Sequence, residues 1–381
     1  MMAARDGTRR ILTTHTGSLA RPDALRELLF AQDRGEAVDR GLFEAQVRQA
    51  VRDCVGEQVA VGLDIVNDGE MSKISFANYV RQRIGGFAEL GEPLPVSIDA
   101  QEFPGWASRW TGAAMLRYAC AAPVAWTDFS PVESDLANLK DATAGFPVVD
   151  VFLTAVSPGT LANFFPNRFY ATREAYLEAL ADVMSREYRA IVEAGFVLQL
   201  DCPDLALHDI WFPDLSESEF RTIVAQNVAA LNRAIDGLPI DRMRMHVCWG
   251  AGERPLVRAE PLAAIVDLLL QARVGALSIV GANGRHEHEW RVWQQVKLPD
   301  GMRLIPGVVD STTNIIEHPE VVAERLLRYA SAVGKERVIA GVDCGFATGA
   351  GSTQVDGQVA WAKLRALVEG ARLATRQLWS S

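Results

Sequence analysis

Two short segments far apart in the sequence together contain one imidazole and two thiols. His246 and Cys248 stand two residues apart at the end of one apolar run, and Cys344 stands at the end of another. Side chains at i and i+2 of a strand point to the same face, so His246 and Cys248 can bind the same metal ion. Imidazole nitrogen and thiolate sulfur are ligands that zinc prefers. The pattern predicts a Zn²⁺ site if the fold brings Cys344 to the pair; otherwise the three are a core histidine and two inert thiols.

The ligand set also predicts a type of chemistry. Three protein ligands leave one tetrahedral position for a substrate, as in catalytic zinc sites. Two thiolates and a neutral imidazole cancel the charge of the ion, which makes it a weak Lewis acid for hydrolysis. Such a centre is better suited to lowering the pKa of a substrate thiol while leaving its sulfur nucleophilic. We therefore expect alkylation of a thiol.

The composition limits the class of protein. With 381 residues, of which 49% are hydrophobic, the chain can bury a large core. The net charge of −10 argues against a nucleic-acid or anionic-membrane surface. No apolar run reaches the roughly 18–20 residues that span a bilayer, and the N-terminus lacks the apolar core of a signal peptide. Five cysteines without framework spacing indicate a reducing compartment, so we expect a cytoplasmic protein and leave a homo-oligomer open.

Strand-like runs alternate with amphipathic helical stretches along the chain. The predicted strands cover residues 11–15, 63–68, 146–153, 196–201, 243–248, 276–280, 304–310 and 338–344. The predicted helices cover residues 44–60, 173–194, 216–236, 260–273, 318–333 and 355–378. Alternation of this kind indicates a parallel sheet, and eight strands indicate a (β/α)₈ TIM barrel. We expect a single domain over residues 1–381.

Residues 85–145 do not follow this alternation and are rich in proline, glycine and tryptophan. We expect an insertion between the second and third strands. It can be a hairpin or flap near the barrel mouth, or a packing excursion that covers the side of the barrel.

Polar side chains follow the C-terminal ends of the predicted strands, which is where the active sites of such barrels lie. They include His15 and Ser18, Glu70, Ser157, Asp201, His246 and Cys248, Asn283, Ser311 and Cys344. A structural protein has no reason to place polar groups at all eight ends, so we expect an enzyme. Glu70 has a second interpretation, because acidic residues also cap the first turn of a following helix.

These motifs resemble the cobalamin-independent methionine synthase family, specifically its C-terminal catalytic barrel, over nearly the whole chain. The segment Thr-His-Thr-Gly-Ser at 14–18 resembles the one that holds the amino-acid carboxylate, and Asp-Gly-Glu at 68–70 resembles the one that contacts the homocysteine amine. Asp-Cys-Pro at 201–203 is similar to a strand end whose aspartate also binds the amine. The motifs at 246–248 and 343–345 match those of the zinc ligands.

The resemblance implies the site residues. His15, Ser18, Glu70 and Asp201 would bind substrate, with Glu70 and Asp201 also acting in catalysis, and His246, Cys248 and Cys344 would hold zinc. In the family, zinc activates the sulfur of homocysteine for attack on the methyl group of a folate. The complete enzymes also carry an N-terminal barrel that helps to hold the folate, and nothing in these residues corresponds to it.

Two further positions depart from the family pattern. The glutamate zinc ligand of the family should fall near Val280, where the sequence has no carboxylate. The histidine that the family uses near the leaving nitrogen should fall near Ser311 or Thr312, where there is none. Methyl transfer to homocysteine, giving methionine, remains the leading expectation, because the three substrate-binding motifs are present.

Short single-barrel relatives suggest the alternatives. Some are core methionine synthases with other methyl donors, such as methylcobalamin. Others are epoxyalkane:coenzyme M transferases, in which a thiolate opens an epoxide, and Arg21 or Arg285 would then bind the sulfonate. The partners expected are thus a thiol and a folate, methylcobalamin or epoxide donor. A barrel that binds a thiol or an amino acid without turnover is the non-enzymatic alternative.

Overall fold

The structure, a computed structural model, describes residues 9–90, 96–108 and 118–380. Its strands in chain order are β1 (Leu12–Thr13), β2 (Ile65–Val66), β3 (Ile84–Glu89), β4 (Tyr118–Trp126), β5 (Asp150–Val156), β6 (Val197–Asp201), β7 (Met243–Val247), β8 (Ala276–Ile279), β9 (Arg303–Pro306) and β10 (Ile339–Ala340). All strands except β3 and β4 coincide with the eight runs predicted from the sequence.

The eight predicted strands are parallel and surround a common axis. Six of them lie side by side in the order β2-β5-β6-β7-β8-β9, and β10 pairs with β1. Isolated parallel bridges join β9 to β10, and the Asp64 amide donates to the Thr13 carbonyl at 3.2 Å, which links β1 to the start of β2. The predicted (β/α)₈ barrel is confirmed.

Helices follow the strands and pack outside them. They are α1 (Asp23–Asp33), α2 (Arg40–Val61), α3 (Ile98–Glu102), α4 (Pro104–Ala107), α5 (Ser130–Thr143), α6 (Pro158–Phe164), α7 (Arg173–Glu193), α8 (His208–Trp211), α9 (Glu217–Ala234), α10 (Leu262–Leu269), α11 (Pro319–Val333) and α12 (Gly357–Trp379). Short 3₁₀ turns cover Asn78–Gln82, Pro203–Leu205, Ile240–Arg242, Glu287–Gln294 and Lys335–Arg337. No helix in the described part of the chain is long and apolar enough to cross a membrane.

The sequence explains where the helices begin and end. In α2, the Asp39 side chain accepts from the Leu42 amide at the N-terminus, and Gly62 closes the C-terminus with a left-handed φ of 95°. Buried Val47, Val51 and related positions recur every three or four residues and face the barrel.

Successive side chains along each barrel strand point alternately into two hydrophobic cores. Residues with one orientation pack against the helices, and residues with the other fill the barrel interior. The interior cluster takes one residue from each of seven barrel strands: Leu12, Ile65, Phe152, Val197, Ala276, Ile305 and Ile339. On β7 the corresponding place belongs to Arg244, whose guanidinium lies 3.6 Å from the centre of the Phe152 ring. Because Arg244, His246 and Cys248 are two residues apart, the alternation aims all three inward.

The segment between β2 and β5 contains the antiparallel pair β3–β4 together with α3, α4 and α5. Within it, residues 91–95 and 109–117 lie outside the described part of the chain. Helix α3 contacts the loop after β7 through Asp99, whose carboxylate accepts from the amides of Leu256 and Val257. This contact places α3 at the C-terminal face of the barrel.

Candidate metal and substrate site

The barrel brings His246, Cys248 and Cys344 together. One nitrogen or sulfur atom from each lies within 4.8 Å of the others, and all three residues are buried. The Sγ atoms of Cys248 and Cys344 are 3.5 Å apart, and both cysteines are free thiols. This spacing suits a single metal ion bound by all three side chains.

The imidazole of His246 is oriented as metal-bound histidines usually are. Its Nδ1 atom lies 3.2 Å from the Ser278 hydroxyl on the neighbouring strand β8, which can accept the Nδ1 proton. Its Nε2 atom is buried and has no hydrogen-bond partner among the described residues. A metal ligand commonly fixes its tautomer through the other ring nitrogen, so an ion would satisfy the orphaned Nε2. The residues present therefore fit a metal.

The pKa values of the two thiols are shifted in opposite directions. The hydrogen bond from the Cys344 thiol lowers the pKa of Cys248, and the His246 imidazole adds to this effect. The same hydrogen bond, together with burial, raises the pKa of Cys344. The pair thus favours a first thiolate at Cys248, and a cation at the site would favour the second.

The end of β8 supplies no charged ligand. Val280, near which the sequence resemblance implied a glutamate ligand, is a buried apolar residue. The amides of Gly281, Ala282 and Asn283 instead donate to the Asp343 carboxylate at 2.6–2.8 Å. These hydrogen bonds connect the end of β8 to Asp343, which is the residue directly before Cys344.

A cavity of about 190 Å³ opens beside these thiols. It lies within the ring of loops that follow the barrel strands. Its lining is Thr16, Ser18, Glu70, Phe76, Phe164, Asp201, Pro203, Leu207, Ile210, Trp211, His246, Cys248, Gly250, Ala251, Cys344, Gly345 and Thr348. Six of the seven site residues suggested by the sequence line this cavity, and His15 does not.

Glu70 has an unusual backbone and an unsatisfied carboxylate. Its φ of 59° is left-handed, a strained conformation for a residue with a side chain, and such strain concentrates at functional sites. Oε1 accepts from the Thr154 hydroxyl at 2.6 Å, whereas Oε2 is buried without a hydrogen-bond partner among the described residues. Lys73 donates to Thr154 at 2.8 Å and lies 4.0 Å from Glu70. These contacts hold Oε1, whereas Oε2 lies 3.7 Å from the Arg21 guanidinium and can still accept a hydrogen bond from a ligand.

A chain of hydrogen bonds from two polar residues of the barrel interior orients the Asp201 carboxylate. Gln199 donates to Oδ1 of Asp201 at 2.8 Å, and Arg244 donates to the Gln199 side chain at 2.8 Å. Burial, followed by the negative charge of Glu70, raises the pKa of Asp201 to about 7, while His246 and the hydrogen bond from Gln199 oppose the rise. A bound cation would favour the ionised carboxylate.

Ser18 lies against the metal-bearing end of the barrel. Its carbonyl accepts from the Phe346 amide at 3.0 Å, and its hydroxyl fills the space that a Cβ on Gly345 would need. The glycine after Cys344 is therefore required by the close approach of Ser18. The contact holds the first and eighth barrel loops together at the cavity.

His15 is occupied by the protein itself. Its Nε2 donates to the Gln58 side chain at 2.8 Å, and its Nδ1 accepts from the Gly17 amide at 3.3 Å. Burial lowers the pKa of His15 to about 4, so the imidazole is neutral at pH 7. These contacts position the loop that carries Ser18.

Neither arginine considered for a sulfonate lines the cavity. The buried Arg21 donates to the carbonyls of Leu19, Lys73 and Ala347 and lies 3.7 Å from Glu70. Arg285 is exposed and points to the Val257 carbonyl at 3.4 Å. This arrangement argues against recognition of a sulfonate in the cavity.

Several supporting residues were not identified from the sequence. All of them face the barrel interior. Gln199 and Arg244 stand two residues before Asp201 and His246, and Ser278 lies beside His246 on the neighbouring strand. The period of two could have selected Gln199 and Arg244 as neighbours of Asp201 and His246. The pairing of His246 with Ser278 required the sheet register.

Comparisons with known proteins agree with this fold. No protein-family model matches the chain. Proteins named methionine synthase from Thermococcus kodakarensis and Sulfurisphaera tokodaii are both 24% identical to it, over 96% of this chain and 94% and 93% of theirs. A solved B12-independent methionine synthase from a Shewanella species superposes with a TM-score of 0.75 at 21% identity, covering 97% of this chain and all of that one. The similarity extends over one whole barrel.

Proposed function

We propose that this chain, a distant relative of the methionine synthases over nearly its whole length, methylates the sulfur of homocysteine with the help of zinc. The observation that carries the proposal is the orphaned Nε2 of His246 beside two free thiols, at the wall of a cavity that also holds two carboxylates. A metal site and a site for an ammonium group thus share one cavity.

His246 through Nε2, Cys248 and Cys344 would hold the metal. Zinc bound by these residues would lower the pKa of a substrate thiol, so that its sulfur is a nucleophile at neutral pH. The Ser278 hydroxyl, 3.2 Å from Nδ1 of His246, can accept the Nδ1 proton and so keep Nε2 available. Burial of the two cysteines limits the access of water to their sulfur atoms.

The carboxylates of Glu70 and Asp201 bind the ammonium group of the substrate. Each has one oxygen held by a protein donor, Thr154 for Glu70 and Gln199 for Asp201, which fixes the direction of the carboxylate. Charge-assisted hydrogen bonds in a buried cavity are the stronger kind. The Ser18 hydroxyl is available for the carboxylate of the amino acid.

Substrate orientation then follows from these contacts. An amino acid held at its ammonium group by Glu70 and Asp201 can direct a short thiol side chain toward Cys248 and Cys344, because all four residues line one cavity of about 190 Å³. Contacts at both ends of the substrate would hold its sulfur in a fixed position, and such positioning of a reacting atom raises the rate of the chemical step.

Homocysteine binding tests this assignment without any methyl donor. We expect calorimetry on the zinc-loaded protein to show that Glu70→Gln and Asp201→Asn each weaken homocysteine binding by about ten- to a hundredfold, since each removes a charge-assisted contact. The matched control is 4-mercaptobutanoate, which keeps the thiol and the carboxylate but lacks the amine. Its affinity should be low and insensitive to both substitutions. Equal binding of the two thiols by the unmodified protein would refute the assignment.

A further inference from the structure

A second cavity, of about 300 Å³, lies against the helices α2 and α5, which pack outside the barrel strands. The loop after β2 and the 3₁₀ turn at Asn78–Gln82 complete its lining. Its volume falls at the lower end of the roughly 300–1,000 Å³ that small-molecule sites occupy. Among the described residues, none lines both this cavity and the one beside the thiols. We call it the outer cavity.

One short turn of the chain lies between the two cavities. Glu70 lines the cavity beside the thiols, and Ser72, two residues later, lines the outer cavity. The Lys73 amide donates to the Glu70 carbonyl at 3.0 Å and closes the turn. A ligand in the outer cavity therefore occupies a site of its own, away from the thiols.

The outer cavity leads from the surface to a buried carboxylate. Arg40 and Ser134 at its rim are exposed, whereas Ser72, Tyr79 and Asp135 are buried. The Tyr79 hydroxyl donates to Oδ2 of Asp135 at 2.8 Å, which fixes the direction of this carboxylate. The floor of the cavity is thus polar and rigidly arranged.

Two buried atoms of the lining have no hydrogen-bond partner among the described residues. They are Oγ of Ser72, a residue that is 6% exposed, and Nε2 of Gln82. Buried polar atoms in native proteins are almost always hydrogen-bonded, so each unpaired one calls for an explanation. Both atoms can donate a proton. A ligand with acceptor oxygens in the outer cavity would satisfy them.

The charges of the lining favour a cation. The described residues that line the outer cavity include three carboxylates, those of Glu44, Asp128 and Asp135, and one cation, Arg40. Arg40 pairs with Glu44 at 2.7 Å, so the cations of the lining leave two carboxylates uncompensated. An anionic ligand would be repelled there, whereas an ammonium group would be attracted.

Asp135 is the carboxylate that gains most from a cation. Burial raises its pKa to about 6, so it is ionised at pH 7 although it is poorly solvated. Lys73 opposes this rise but donates its own protons to the Thr154 carbonyl and hydroxyl. A charge-assisted hydrogen bond from a ligand would offset the solvation that the carboxylate has lost.

We propose that the outer cavity binds a small hydroxylated amine, whose ammonium group contacts Asp135 and whose hydroxyl oxygens accept from Ser72 and Gln82. The rings of Phe43 and Tyr79 in the lining supply apolar contact for its carbon atoms. The site does not depend on the proposed methyl transfer.

Glucosamine and glucose test the part played by the charge. The two sugars share a ring and differ only at C2, where glucosamine has an ammonium group in place of a hydroxyl. Ligand-observed NMR titration of the unmodified protein at pH 7 measures both affinities. We expect glucosamine to bind about tenfold more tightly than glucose. Equal affinities, or no binding of glucosamine, overturn the proposal.

Substitutions in the lining locate the bound sugar. Asp135→Asn keeps the shape of the side chain and should weaken glucosamine binding by about tenfold, with little change for glucose. Ser72→Ala removes one hydroxyl contact and should weaken both sugars by about threefold. Glu133→Gln is the control, because this exposed residue of α5 does not line the cavity. Unchanged glucosamine binding in Asp135→Asn overturns the proposal.

A crossed measurement separates the outer cavity from the site of the proposed function. Glu70→Gln should leave the Kd of glucosamine unchanged, and Asp135→Asn should leave the Kd of homocysteine unchanged, which also shows that the variant is folded. Loss of glucosamine binding in Glu70→Gln would place its ammonium group beside the thiols and overturn the outer site. The homocysteine assignment would stand in either case, because its own test uses other ligands.

Discussion

The Sγ atoms of Cys248 and Cys344 lie 3.5 Å apart, although 96 residues separate them in the chain. Cys248 follows β7 and Cys344 follows β10, two strands with β8 and β9 between them in the barrel. Two thiols on such strands meet only because a closed barrel turns all its strand ends toward one axis. The pair therefore depends on the whole fold.

Removing either thiol should remove the metal. We expect the purified protein to hold about one zinc per chain and expect Cys248→Ser and Cys344→Ser to lose it, because a hydroxyl is a poor replacement for a thiolate ligand. Elemental analysis of freshly purified protein measures the content. Cys202→Ser is the matched control, since Cys202 is buried beside the site but outside the three-residue group. Full zinc in both cysteine variants would contradict the assignment.

The hydroxyl of Ser278 should tune the affinity for metal. Ser278→Ala removes the acceptor at 3.2 Å from Nδ1 of His246, and loss of such an outer contact typically costs about 10- to 100-fold in metal affinity. Competition with a chromogenic chelator measures the change. Ser311→Ala serves as control, because its buried hydroxyl has no hydrogen-bond partner among the described residues. If both variants bind zinc as the unmodified protein does, the role of Ser278 is structural only.

Helix α3 should contribute stability through a buried cluster of one arginine and two aspartates. Arg254 lies 2.7 Å from Asp99 of α3 and also pairs with Asp209 of α8, and all three are largely buried. Arg254→Met leaves two buried carboxylates unpaired, which should lower the free energy of unfolding by about 3–5 kcal/mol in urea titrations. Arg258→Met, whose partner Glu102 is more exposed, should cost under about 1 kcal/mol. Equal losses of unfolding free energy in the two variants would show that burial of the Arg254 ion pairs does not add to stability.

Asp135 should make stability fall as the pH rises. Burial, reinforced by Asp68 and opposed by Lys73, Ser72 and Tyr79, raises the pKa of Asp135 from 3.8 to about 6. Between these values the folded state binds more protons than the unfolded chain, so its extra stability is complete below pH 4 and is lost as the pH rises through 6.

We expect Asp135→Asn to remove this loss, which amounts to about 3 kcal/mol at most. Urea unfolding at pH 4, 5, 6 and 7 compares the variant with the unmodified protein. Glu133→Gln, which changes an exposed carboxylate on the same helix α5, is the control and should keep the original pH profile. An Asp135→Asn profile as steep as the original would be inconsistent with the raised pKa.

The fold followed from periodicity, which is a local property. Strands with a period of two and helices with a period near 3.6 leave their pattern in neighbouring residues, and all eight barrel strands were found in this way. Residues 85–145 break both periods, so the sequence indicated an irregular segment without its pairing. The antiparallel partnership of β3 with β4 and the contact of Asp99 with the loop after β7 became visible only in three dimensions.

The sequence by itself determined the inward direction of His246 and Cys248, because alternation along a strand fixes it. Only the tertiary structure decided that Cys344 reaches them, that Ser278 orients the imidazole, and that Ser72, Tyr79 and Asp135 line the outer cavity. These relations join residues from different strands, helices and loops. Their distances depend on sheet register and barrel closure, which many residues set together and no single segment of sequence encodes.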